Sequence, residues 1–165
     1  MDIFGSTDPR KMPEHMFYGT IHLDYKSAIR GNPQKQNYSV CPRHWYIDAG
    51  FECESCHREF IWTAREQKAW FEIYNFWIDS KPRLCKGCMA NRKRLESLRK
   101  EYDSIVGDAQ SKSELDLKQR VIAIIYELES AFTSLPEKMI VTKNLFEHQI
   151  QKAQQDAAGN PLPDM

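Results

Sequence analysis

The chain has 165 residues, which suits one modest domain or one small domain with an appendage. Its 23 basic and 23 acidic residues balance, so overall charge does not indicate a polyanionic partner. No segment reaches the roughly 18 apolar residues of a membrane span, and the N-terminus has no apolar run of signal-peptide length. We therefore expect a cytoplasmic protein with reduced thiols, with secretion and two disulfides as the alternative.

The first part of the chain predicts little regular structure before a hairpin. Residues 1–40 mix prolines, glycines and polar residues without sustained periodicity, so we expect an irregular N-terminal arm. Two short apolar runs follow, at 45–49 and 59–62, on either side of a pair of cysteines. They predict two strands that return around a metal-binding turn, within a zinc module at residues 41–106.

The most informative pattern is two Cys-x-x-Cys pairs, Cys53/Cys56 and Cys85/Cys88, with 28 residues between them. Each pair can direct two sulfurs at one point, and two pairs complete a tetrahedron of thiolates around one Zn²⁺. Such a shell leaves no open coordination position, so the ion is expected to be structural. Iron in a similar cage and thiol–disulfide exchange are the alternatives.

A second metal site is not expected. Cys41 and His44 form Cys-x-x-His upstream of the first pair, and His57 directly follows Cys56, but no fourth ligand lies at a suitable spacing. We interpret Cys41 as a packed thiol and His44 as a hydrogen-bonding side chain.

A helix is predicted to begin at Thr63, because Thr63 and Glu66 have the spacing of a capping box. Trp70, Tyr74 and Trp77 recur at helical spacing and predict a buried aromatic face. The helix should end near residue 80, since a proline follows at position 82.

The second cysteine pair should lead directly into another helix, ending at Gly107, with Gly87 at a position of positive φ. Positions 81–100 hold eight basic residues, the basic cluster, and one acidic residue, Glu96. The basic cluster consists of Lys81, Arg83, Lys86, Arg92, Lys93, Arg94, Arg99 and Lys100. It predicts either contact with a phosphate backbone, or a solvated helix face, or a partner for the acidic C-terminal helices.

A helical segment is predicted at 111–157, followed by a disordered tail at 158–165. Ser111 and Glu114 have capping-box spacing, and a heptad-like apolar seam follows. Its candidate protein-interaction residues are Leu117, Val121, Ile124, Leu128 and Leu135. The apolar surface is wide, so either the neighbouring helices complete a three-helix bundle or another chain covers it, and we favour self-association or a protein partner. In the last helix, Ile140, Leu145, Phe146 and Ile150 should face inward.

Residues 44–94 resemble a largely bacterial family of probable zinc-ribbon or treble-clef domains. The resemblance is carried by His44-Trp45-Tyr46-Ile47-Asp48-Ala49, Phe51-x-Cys53-x-x-Cys56, Glu59-Phe60-Ile61-Trp62-Thr63-Ala64-x-Glu66-Gln67 and Pro82-Arg83-x-Cys85-x-x-Cys88. Members commonly have glycine directly after the first pair, where this chain has His57. The resemblance covers about a third of the chain and implies zinc and a fold, but almost no biochemistry.

These patterns predict an α+β fold: a small treble-clef-like zinc module, with a short β-hairpin and helices, followed by a C-terminal helical hairpin or bundle. The sequence has no phosphate-binding glycine loop, no nucleophile elbow and no credible catalytic set. We expect a non-enzymatic zinc-binding adaptor that contacts a protein through its C-terminal helices. The alternative is a nucleic-acid-binding or transcription-associated regulator that uses the basic cluster. No membrane or small-molecule substrate is indicated.

Overall fold

The computed structural model describes residues 3–132 and 134–158, which form two compact units, one within 1–89 and one within 90–165. The fold class is α+β, as predicted, with a three-stranded sheet in the first unit and helices at the C-terminus. Apart from Ala158, the tail predicted at 158–165 lies outside the described residues. In the part of the chain that is described, no helix combines the length and apolar character needed to cross a bilayer.

The first unit contains an antiparallel sheet with strand order β1-β2-β3, formed by β1 (Leu23–Arg30), β2 (Trp45–Glu52) and β3 (Glu59–Trp62). Strands β2 and β3 are the predicted hairpin. Strand β1 lies in the segment predicted to be irregular and pairs with β2, with Arg30 opposite Trp45. Its sequence is mostly polar and it occupies an edge of the sheet, so it lacks the apolar alternation that marks a strand.

Helix α1 (Ala64–Glu72) begins with the predicted capping box, in which Thr63 and Glu66 satisfy each other's backbone N–H groups. It packs on β2 and supplies Phe71 to an aromatic core. The ring of Phe71 stacks on Tyr46 at 5.8 Å and meets Trp62 edge-on at 5.6 Å. This core positions the turn that follows β2, where the first cysteine pair lies.

The prediction that α1 continues beyond Trp70 with a buried aromatic face is wrong. The helix ends at Glu72, and the side chains of Tyr74 and Trp77 are 65% and 43% exposed. Asn75 follows with φ of 54°, a left-handed conformation that does not continue a helix. The aromatic residues in the turn after α1 recur at helical spacing by coincidence, and this spacing led to the wrong prediction.

The second unit is an antiparallel three-helix bundle formed by α2 (Lys86–Ser111), α3 (Leu115–Ala131) and α4 (Glu137–Ala158). Ion pairs show the helix directions. Between α2 and α3 they join Arg94 to Glu127 and Arg120 to Glu101, so residue numbers rise on one helix as they fall on the other. Packing between helices of this chain therefore covers the wide apolar surface of α3.

Three of the candidate interaction residues, Val121, Ile124 and Leu128, are fully buried in this bundle, and Leu117 and Leu135 pack at its edge. Helices of this chain therefore cover the apolar residues that we predicted to contact a partner. Phe146 of α4 is also buried, as predicted.

Four local predictions for these helices are wrong. Helix α2 continues through Gly107 to Ser111, because one glycine inside a well-packed helix costs only about 1 kcal/mol. The N-cap of α3 is Glu114, with no side-chain capping bond, so the capping box from Ser111 does not form. Ile140 and Leu145 are 39% and 48% exposed, not inward-facing, because the buried face of α4 runs through Thr142 and Phe146.

Candidate metal centre

The four predicted ligands converge on one point in the first unit. Cys53 directly follows β2, Cys56 lies in the turn before β3, and Cys85 and Cys88 lie at the start of α2. The four sulfurs lie within 4.8 Å of one another, and those of Cys56 and Cys85 are 3.9 Å apart. A tetrahedron of sulfurs about 2.3 Å from a zinc ion has edges of about 3.8 Å. The donor atoms and their spacing therefore fit one Zn²⁺.

The turn between Cys53 and Cys56 is closed by backbone hydrogen bonds. His57 N–H donates to the Cys53 carbonyl at 2.9 Å, and Cys53 N–H donates to the Arg58 carbonyl at 3.0 Å. His57 has φ of 57°, which is left-handed. Glycine adopts this conformation without steric cost, which explains why the resembling family commonly has glycine here.

The second cysteine pair forms a different kind of turn. The prediction of positive φ at Gly87 is wrong, because α2 begins at Lys86 and Gly87 is already helical. Cys85 thus directly precedes the helix and Cys88 lies on its first turn, where backbone N–H groups lack carbonyl partners. The N–H of Cys88 points at the Cys85 sulfur at 3.5 Å. The helix terminus therefore supplies positive partial charge to the thiolates.

Hydrogen bonds shift the thiol pKa values of this centre in both directions: the contact with Cys85 raises the pKa of Cys88 to about 12, whereas backbone donors favour the thiolate of Cys53. Backbone N–H donors, foremost that of Cys85 at 3.3 Å from the Cys53 sulfur, lower the pKa of Cys53 to about 6. The Arg58 guanidinium lies beside Cys56, and the thiolates raise the pKa of Arg58. Four thiolates and one Zn²⁺ carry a net charge of −2, which this guanidinium partly offsets. Arg58 was not among the site residues predicted from the sequence. Its position two residues after Cys56 could have identified it.

An ion pair joins the two ligand-bearing turns. Arg83 Nε lies 2.8 Å from both carboxylate oxygens of Glu54, and Glu54 N–H donates to the Arg83 carbonyl at 3.0 Å. One turn is thus linked to the other next to the metal ligands. The sequence placed Arg83 in the basic cluster and gave no reason to pair it with Glu54.

The other candidate ligands lie elsewhere. Cys41 is buried with Met12 and Met16, and this burial raises the pKa of its thiol, so it is the packed residue we expected. His57 Nδ1 lies 2.8 Å from Glu52 and does not turn toward the sulfurs. Within residues 3–132 and 134–158, the four cysteines form the group whose donor atoms are close enough to hold one ion.

The sequence around this centre matches a family model. Residues 47–97 match the model of a family described as a probable treble clef domain. The match covers less than half of the chain and includes all four cysteines. Neither the curated proteins nor the solved structures include a significant match to the chain. The treble-clef domain and its four-thiolate donor set together support a zinc-binding centre.

The basic cluster is divided between the two units, with Lys81, Arg83 and Lys86 in the first and the other members in the second. Half of its members pair with acidic groups of this chain. These pairs are Arg83–Glu54, Lys86–Glu66, Arg92–Glu96 and Arg94–Glu127. Among the residues of the described ranges, Lys93 and Lys100 are exposed and have no acidic partner within ion-pair distance.

Proposed function

We propose that this protein is a non-enzymatic adaptor, in which zinc stabilises the treble-clef domain and the helical unit docks on another protein. The observation that carries the proposal is an apolar patch on the outer face of α4, formed by Ile140, Val141 and Leu145. These side chains are 39%, 58% and 48% exposed, although they lie within two turns of one helix. Single exposed apolar residues are common, but adjacent ones on one face are typical of interaction sites.

The position of the α4 patch differs from the interaction site predicted from the sequence. Val121, Ile124 and Leu128 already fill the core of the bundle, so a partner would have to unfold the bundle to reach them. The residues of the α4 patch are exposed beside the buried residues Thr142 and Phe146, so binding to them needs no rearrangement of the bundle. A helix that presents apolar residues one turn apart matches the way helices bind in apolar grooves.

The metal centre supports the non-enzymatic part of the proposal. Four thiolates fill the coordination shell of zinc, so no position remains for a reacting water or substrate. For structural zinc sites the apparent binding free energy is about 10–16 kcal/mol at neutral pH, and it contributes directly to folding. We therefore assign the ion to stabilising the first unit.

The patch is tested by introducing charge into the full chain. Replacing Val141 and Leu145 together by lysine should abolish docking. The matched control replaces Gln151 and Gln155 by lysine, which adds the same charge at the same spacing on another exposed face of α4. Sedimentation velocity measures self-association, and quantitative affinity capture measures other proteins.

Support would be an association, with a copy or another protein, that the Val141/Leu145 variant loses and the Gln151/Gln155 control keeps. Equal association of both variants, or a wild-type chain that remains monomeric and captures nothing beyond the control, would overturn the proposal.

A second candidate function is nucleic-acid binding, favoured by Lys93 and Lys100, which lie two helical turns apart on exposed positions of α2. It ranks second because half of the basic cluster is already paired with carboxylates. The test measures binding of labelled random-sequence DNA and RNA at low and physiological salt. Binding that weakens steeply with salt and is lost in a Lys93→Glu/Lys100→Glu variant would favour this candidate. Binding that does not depend on salt, or no binding at all, would rule out this candidate function.

A further inference from the structure

A cavity of about 350 Å³ lies within the first unit, away from the four cysteines. It is bounded by residues 15–20, by the face of β2 that carries Ile47 and Ala49, and by Asp79 and Lys81. Small-molecule sites in proteins typically occupy about 300–1,000 Å³, so this cavity has room for a compact ligand.

Most of the cavity wall is apolar and aromatic. Phe17, Phe51 and Trp62 line it together with Met16 and the β2 side chains. Gln67 also lines it, but its amide already bonds to the backbone of Ile47 and Trp62. A ligand therefore meets flat rings on its sides, which suits a planar apolar body.

A buried cation lies at the cavity. The side chain of Arg43 belongs to a residue only 6% exposed, and the ring of Phe71 lies 5.1 Å from its guanidinium carbon. Its Nε donates to the Ile78 carbonyl at 3.3 Å. Burial lowers the pKa of Arg43 to about 10, so the group stays charged at neutral pH. Among the described residues no hydrogen bond uses its terminal N–H groups, which leaves them for a ligand.

Lys81 is a second cation that lines the cavity. Lys81 Nζ is 5.1 Å from the Phe51 ring and 5.2 Å from the Tyr18 ring, and donates to the Tyr18 carbonyl at 2.9 Å. Gly19 has φ of 77°, and a Cβ there would collide with Lys81 Nζ. The absence of a side chain at Gly19 thus leaves the space in which this ammonium lies.

The charges around the cavity do not balance. Asp79 is the carboxylate that lines it, and its Oδ2 accepts a hydrogen bond from Trp77 Nε1 at 3.1 Å. Arg43 and Lys81 together exceed it by one positive charge. An apolar cavity with one excess cation favours a monoanion, because the ligand's charge would compensate a partly desolvated charge.

We infer that this cavity binds a small aromatic carboxylate, whose ring lies among Phe17, Phe51 and Trp62 and whose carboxylate faces Arg43 and Lys81. This site is separate from the zinc centre and from the apolar patch of α4, and it does not depend on the adaptor function. The charged hydrogen bonds set the orientation and the rings supply the apolar contact.

The test titrates 2-naphthoate into the zinc-loaded full chain by calorimetry, with 2-naphthamide as the neutral analogue. We expect saturable binding of the carboxylate, weakened about tenfold or more in the amide, because the neutral amide cannot form the charge-assisted hydrogen bonds to Arg43 and Lys81. In ¹⁵N-labelled protein, the amide of Ala49 and the indole N–H of Trp62 should shift with the same saturation curve.

Two lysine variants distinguish this site from general attraction of anions. Lys81→Gln should weaken binding of 2-naphthoate about tenfold, whereas Lys26→Gln, which removes the same charge from an exposed position of β1, should leave it unchanged. The inference is overturned by absence of saturable binding, by equal affinity for carboxylate and amide, by equal effects of the two substitutions, or by shifts that exclude Ala49 and Trp62.

Discussion

Glu54 and Arg83 lie on different metal-binding turns and contact each other twice, through side chains and backbone. The carboxylate accepts hydrogen bonds from Arg83 Nε at 2.8 Å, and the Glu54 N–H donates to the Arg83 carbonyl at 3.0 Å. Groups of this kind outside the ligand shell orient the ligands and affect metal affinity. The link joins the two cysteine pairs across the 28 residues of chain that separate them.

Replacing Arg83 by Met should lower the zinc affinity. Changes outside the ligand shell typically cost about 10–100-fold in metal affinity, and we expect about tenfold because both side chains are more than half exposed and the backbone bond remains. Competition with a chromophoric chelator measures the affinity. Arg10→Met is the matched control, since Arg10 is also an exposed partner of a carboxylate, Asp8, and should leave affinity unchanged. Equal affinities of all three proteins would show that the link has no effect on the metal.

The left-handed conformation at position 57 predicts different effects for two substitutions. His57→Val should destabilise the first unit by about 1–2 kcal/mol, because β-branched residues are strained at positive φ. His57→Gly should lower the free energy of unfolding by no more than about 0.5 kcal/mol relative to wild type. Urea unfolding of the zinc-loaded proteins, followed by tryptophan fluorescence, gives both values. A valine variant as stable as the glycine variant would argue against this backbone conformation.

Adjacent residues of α4 test which face the bundle buries. Phe146 is 1% exposed and Leu145 is 48% exposed. Phe146→Ala should lower the free energy of unfolding by about 3–5 kcal/mol, whereas Leu145→Ala should change it by about 0.5 kcal/mol or less. Urea titration followed by far-UV circular dichroism measures the helical unit. Similar losses for the two substitutions would mean that α4 is rotated from the face described here.

Tyr46 predicts a loss of stability in alkali. Burial, followed by the nearby Glu72 carboxylate, raises the pKa of Tyr46 in the folded chain above its ordinary value near 10. A folded pKa above the unfolded one means that the stabilisation is complete below about pH 10 and declines as pH rises further, by about 1.4 kcal/mol per pH unit. The decline should be shallower in Tyr46→Phe. Parallel stability curves for the two proteins between pH 9 and pH 11 would contradict this account.

Some features with a short-range cause were predicted from the sequence, although the capping box from Ser111 and the positive φ at Gly87 were not found. The Thr63/Glu66 capping box and the cysteine pairs depend on residues within a few positions of one another, and the structure contains them. The end of α1 was missed because the left-handed turn at Asn75 is not encoded by hydrophobic spacing, and the aromatic residues around it follow a helical period by coincidence.

Features that depend on distant parts of the chain were not predictable. Strand β1 is specified by its pairing with β2, and its own sequence shows little alternation. The Glu54–Arg83 link and the cavity at Arg43 likewise arise from residues far apart in sequence. For the bundle, helical periodicity indicated a wide apolar surface on α3 but could not say whether this chain or another covers it.

The central claim is that one zinc ion, held by the four cysteines, maintains the first unit. The most direct test measures metal content by mass spectrometry and tertiary structure by near-UV circular dichroism in wild type, Cys85→Ser and Cys41→Ser. All four tryptophans lie between residues 45 and 77, so this signal reports on the first unit. We predict one zinc per chain in wild type and in Cys41→Ser, and loss of both zinc and tryptophan signal in Cys85→Ser. A Cys85→Ser chain that keeps the near-UV spectrum of wild type without metal would contradict the claim.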